Sequence, residues 1–286
     1  MILSLALLIF FFFSSVVALG LSLAVGTLTT WISALSVTLG FCAAGFVIWQ
    51  ERQREIRLPE LSLFDRLVTL AFGLFVFRHF LWIFYLKDGA YFTSGSNNIG
   101  DLPLHLTYIA RFVNGGHFWP LNPEFAAEKL HYPFGIDLFT ALFAKMGLSL
   151  TTVLPVMGVV FCAALAVTML AWSRGFGLAA FLFSGGLAGF AILKTGVVKD
   201  YQAELAFKNL AVSLLVPQRG FLFAFPAGLF LLWSWRKKIL KNEKAYSDYL
   251  DGMIWGALPF FHFHTFIFVS LIFALWVGVT KKWNFI

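Results

Sequence analysis

Charged residues are few in this chain. Asp, Glu, Lys and Arg make up 12% of its 286 residues, where soluble domains carry about a quarter. A chain so poor in charge cannot cover a water-facing surface. That excludes a soluble enzyme and a nucleic-acid-binding domain, in spite of a formal charge of +7. Cysteine is nearly absent as well. Cys42 and Cys162 lie inside apolar runs with no pairing or metal-ligand spacing, which excludes a disulfide-stapled secreted domain. Internal repeats, low-complexity linkers and a separate soluble domain are also missing. What is abundant is apolar: 60% hydrophobic residues, with 36 Phe and 10 Trp, and a mean hydropathy of +0.84. Several runs reach the ~20 residues that cross a bilayer as a helix. The chain reads as an all-α polytopic membrane protein, one transmembrane domain over residues 1–286 with about eight transmembrane helices.

Orientation follows from the basic residues, which collect on the cytoplasmic side of short loops. Residues 2–25 and 29–49 form a helical hairpin turning at Gly26, and the absence of a basic start marks the first run as a retained helix rather than a cleaved signal. Arg52, Arg54, Arg57 and Arg66 then define an inside loop. Residues 67–86 cross outward and place a long polar stretch, 87–150, on the outer face. Within it, residues 134–146 read as a helix lying on the outer face, too short to span and carrying Asp137 and Lys145; a helix over 102–114 precedes it. Residues 152–172 return to an inside turn at Ser173-Arg174-Gly175, and 176–193 lead to a second outer loop containing Lys208. Residues 221–235 cross to the basic cluster Arg236, Lys237, Lys238, Lys241 and Lys244. The last run, 252–280, is interrupted by Pro259 and His262-Phe263-His264, and reads as a bent hairpin that returns Lys281 and Lys282 inside.

Ionisable residues beside or within apolar runs are the candidates for chemistry. Asp101 suits the cap of a helix that opens with Pro103, and His105 follows four residues on, one turn along the same face. Read alone, the pair is a helix cap and an interfacial polar tip sooner than a chemical pair. Arg219, preceded by Gln218, stands at the outer end of a helix, either as an anion ligand or as a snorkelling anchor. Arg78 and His79 lie two turns inside the third run. His262 and His264 share one side only if the backbone between them is extended; with Asp101 and His105 they would then offer a divalent cation mixed oxygen and nitrogen ligands. The Trp residues near helix ends read as interfacial anchors.

The order of these features resembles the first outer loop of the glycosyltransferase C superfamily. These polytopic enzymes, protein mannosyltransferases among them, use lipid-linked sugar donors. The similar features are Asp101 before a membrane-parallel helix, Tyr132-Pro133 opening a second one, and Arg174-Gly175-Phe176-Gly177 after a spanning helix, over about residues 67–195. This chain departs from the pattern in having one acidic residue, Asp101, where two adjacent ones are common, and three helices before the loop instead of one. It also lacks the carboxy-terminal outer domain, so a fragment or a divergent short member is expected.

The resemblance implies transfer of a sugar from a polyprenyl-phosphate donor at the outer face of the plasma membrane. Asp101 would be the general base, with His105 beside it. Arg219 and Gln218 would hold the leaving phosphate, with Tyr132, Arg111, Lys208, His262 and His264 as further substrate contacts. The implied partners are the lipid-linked donor and membrane lipids, with no nucleic acid. The alternative is a transporter or lipid-binding protein whose polar path is lined by Arg78, His79, His262 and His264.

Overall fold

The computed structural model describes residues 1–54, 60–94, 98–115, 118–125, 128–184, 196 and 209–282. It is an all-α protein: α1 (Ile2–Val25), α2 (Thr30–Glu51), α3 (Leu63–Phe80), α4 (Asn98–Val113), α5 (Gly135–Lys145), α6 (Leu150–Leu182), α7 (Arg219–Trp235), α8 (Asp248–Phe261) and α9 (Phe263–Thr280). One short antiparallel hairpin, Tyr85–Lys87 with Ala90–Phe92, follows α3.

Turns join these helices where the sequence supplies the chemistry. Gly26 closes α1 in the left-handed region (φ 88°), where a side chain would be strained, and the Thr29 hydroxyl caps α2 by accepting from the Ile32 N–H. Small residues bring α1 and α2 together: a Cβ on Gly40 would lie 2.0 Å from the Ser14 hydroxyl. Ser62 and Asp65 form a capping box at the start of α3, and Asp65 also accepts the Gly175 N–H at 2.7 Å. Within α6 the helix breaks at Arg174 (φ 57°, ψ −153°). Trp172 lies under Arg236 at one end of α7, whereas Phe181 is back beside Phe225, so the chain reverses at this turn.

The molecule therefore has two ends. Glu51, Arg54, Asp65, Arg174, Arg236 and Lys282 mark a basic end, where Ser247 donates to Glu51 and the Lys282 ammonium reaches the Ile239 carbonyl at 2.5 Å. The α1–α2 turn, α4, α5 and the start of α7 mark the opposite end: the Phe118 N–H donates to the Gly26 carbonyl and the Thr30 hydroxyl to that of Lys145. The last apolar run is two antiparallel helices broken at His262, tied by the Trp255 indole N–H on the Ser270 hydroxyl at 2.8 Å. Lys282 thereby returns to the basic end.

Three expectations are corrected. Among the described residues, four helices, not about eight, are long and apolar enough to span a bilayer: α1, α2 with the turn that extends it to Arg54, α6 and α9. The run at 67–86 ends as a helix at Phe80 and carries Arg78 and His79 in its last turn; α7 has 17 residues and α8 has 14. Second, α4 begins at Asn98, whose amide donates to the Ser94 carbonyl, so Asp101 sits in the first turn and is not the cap. Third, α5 does not rest on a face. Every residue from Gly135 to Leu142 is buried, polar Asp137 and Thr140 included, because the helix is packed by α1, α2, α4, α6, α7 and α8. Arg57, Lys208 and the rest of 185–208 apart from Gly196 lie outside the described residues.

Candidate functional site

Buried α5 is the scaffold of the site. An ionised carboxylate in such a helix is costly unless paired, and Asp137, 0% exposed, is paired twice. The His105 Nδ1 of α4 lies 2.8 Å from its Oδ2 and 3.0 Å from its Oδ1. The Arg219 Nε of α7 lies 3.6 Å from Oδ1. One turn along α5, the Thr140 hydroxyl accepts from the Arg219 Nη2 at 2.8 Å and donates to the Ile136 carbonyl at 2.7 Å. Arg219 is only 1% exposed, and its Nη1 has no hydrogen-bond partner among the described residues. The snorkelling alternative fails: a guanidinium at a helix end has been drawn inward, not outward.

In front of this cluster opens a cavity of about 730 Å³. Asp101, His105, Tyr132, Gln218, Arg219, His262 and His264 all line it, although they are scattered over more than 160 positions of sequence. Trp119, with its indole N–H on the Leu130 carbonyl at 2.8 Å, is part of the same wall rather than a free interfacial anchor. Burial raises the hydroxyl of Tyr108 to about 12, helped by Glu124, Tyr132 and Asp137. Burial raises Tyr132 too, with Asp137 and Asp101 adding to it. Both therefore remain neutral hydrogen-bonding groups beside His105, whose ring they meet edge-on at 6.4 and 5.9 Å.

Other expectations separate from this group. His105 pairs with Asp137 and not with Asp101. Arg111, further along α4, does not line the cavity. Arg78 is exposed and the His79 ring lies tilted against Phe75, centroids 4.4 Å apart; neither meets the cavity that His262 and His264 line. The backbone at His262 is extended (φ −160°, ψ 99°), as a shared role of the two histidines requires, and their rings are 5.6 Å apart. The His262 Nδ1, however, caps α9 by accepting from the Thr265 N–H. Among the described residues no three His, Cys, Asp or Glu side chains converge as a metal site.

Asp137 and Thr140 are what the sequence reading missed as site residues. The available signal was an acidic residue in an otherwise apolar helix too short to span, which calls for an internal partner. A second hollow, about 480 Å³, is almost wholly apolar and is walled by Phe139 and Phe143 of α5 with Leu7, Phe10, Phe41 and Val156.

Compared with known proteins, the chain matches no family model, no curated protein and no solved structure. Its own fold and composition define the class: an all-α membrane protein.

Proposed function

We propose that this chain is a membrane glycosyltransferase of the C type. It takes a sugar from a polyprenyl-phosphate donor and passes it to an acceptor at the outer face of the plasma membrane. The observation that carries the proposal is Arg219, a guanidinium buried at the cavity wall, fixed by Asp137 and Thr140, with its Nη1 unpaired among the described residues. A preorganised cation in a water-poor site stabilises the charge that develops on a departing phosphate. Gln218, next to it on the wall, supplies a neutral donor. The apolar hollow beside α5 suits a prenyl chain. The acceptor's proton goes to a base on the same wall, where the resemblance implies Asp101.

Binding of farnesyl phosphate to the purified chain tests this. Arg219→Gln should weaken it by about 10- to 100-fold, since charge-assisted bonds to a buried phosphate are worth roughly 1.5–3 kcal/mol. Equal affinity in both proteins would remove the phosphate role and the proposal with it.

A further inference from the structure

The cavity wall offers two candidate bases, and they are held very differently. Asp101 is partly exposed in the first turn of α4, and no hydrogen bond or ion pair fixes its carboxylate among the described residues. His105 is 2% exposed and its Nδ1 faces both oxygens of Asp137. A carboxylate accepts only, so the imidazole must donate from Nδ1. In the neutral ring, Nε2 is then the lone-pair nitrogen, and no protein group among the described residues occupies it. We propose that the base of the site is His105, with Asp137 as its positioning residue.

This assignment rests on the glycosyl-transfer reading. Nε2 takes the proton of the acceptor hydroxyl or amine as that atom bonds to the anomeric carbon. The anomeric carbon–oxygen bond breaks and its electron pair leaves on polyprenyl phosphate beside Arg219. Asp137 stabilises the imidazolium so formed, and solvent later takes its proton. Because Asp137 touches both His105 and Arg219, one carboxylate sets the tautomer of the base and the place of the phosphate ligand.

The test uses the full chain in lipid discs with farnesyl phosphate linked to glucose, mannose or galactose, and follows release of farnesyl phosphate with water as acceptor. His105→Gln should lose about 10²- to 10⁴-fold in kcat, the usual contribution of general-base catalysis, with farnesyl phosphate affinity within about threefold of wild type. Asp101→Asn should remain at least tenfold more active than His105→Gln. Added imidazole should restore part of the rate to His105→Ala, which a merely structural histidine would not allow. Asp137→Asn should lower kcat and raise KM together, whereas Asp137→Glu should recover kcat in part. A His105→Gln protein with wild-type kcat, or an Asp101→Asn protein less active than it, overturns the assignment while leaving the function standing. A wild type that releases farnesyl phosphate from none of the three probes overturns both.

Discussion

At the scale of single residues, scarcity made the site legible. In a sequence with so few charges, each ionisable side chain near an apolar run stands out, and seven of the eleven residues named as candidates line one cavity (Asp101, His105, Tyr132, Gln218, Arg219, His262 and His264), while Arg78, His79 and Arg111 do not. Pairing was not legible, because it depends on which helices face one another. His105 was matched with its neighbour along α4 and finds its partner 32 positions away. Thr140 shows the same limit: as a residue type it is unremarkable in a helix, yet among the described residues it anchors the one guanidinium nitrogen of Arg219 that has a hydrogen bond. Thr140→Val keeps the shape and removes the acceptor. It should cost about 1–3 kcal/mol of stability, the penalty of an unsatisfied buried donor, and weaken farnesyl phosphate binding. Thermal unfolding and a binding titration check the two effects separately.

At the scale of elements, helices were readable from apolar length, but their depth was not. The sequence of α5 has the length of a surface helix, and only its surroundings bury it. Contact points between helices are equally local and equally tertiary. A Cβ on Gly158 would fall 2.0 Å from the Phe80 ring, and one on Gly220 would fall 2.2 Å from the Phe261 carbonyl. The second contact lies between Arg219 and His262, so Gly220→Ala should separate α7 from α8. Overpacking of this kind costs typically 1–3 kcal/mol, and the widened cavity should lower farnesyl phosphate affinity; a thermal midpoint and a titration measure both.

Asp65 makes the corresponding joint at the basic end. The Gly175 N–H, then Ser62, hold its carboxyl below the ordinary carboxylate value, joining α3 to the turn after Trp172. A depressed value in the folded state means stability that is present above the unfolded value of about 3.9 and lost as pH falls through the folded one. Asp65→Asn should therefore be less stable than wild type at pH 7, and the gap should close below about pH 4. A gap that persists at low pH would show that the joint is not made by the charge.

At the scale of the whole molecule, the sequence's charge asymmetry and the fold agree about which groups share an end. The inside loops inferred from Arg52, Arg54, Arg66, Arg174 and the Arg236–Lys241 cluster lie together, and the cavity lies at the other end with the α1–α2 turn. Two facts were beyond the sequence: that α8 and α9 close against α7 so that His262 reaches Arg219's cavity, and that α1 and α2 pack on α5. The bias that keeps Lys and Arg on the cytoplasmic side predicts an orientation, with the basic end inside and the cavity outside. Substituted cysteines test it. Cys42 is exposed and must first be changed to Ser; Cys162 is buried and can stay. In intact cells an impermeant thiol reagent should label Leu121→Cys, at the cavity end, and should label Lys241→Cys only after the membrane is opened. The reverse pattern would put the cavity on the cytoplasmic side, where the acceptor would have to be a cytoplasmic molecule, while the arrangement of Asp137, His105 and Arg219 would stand unchanged.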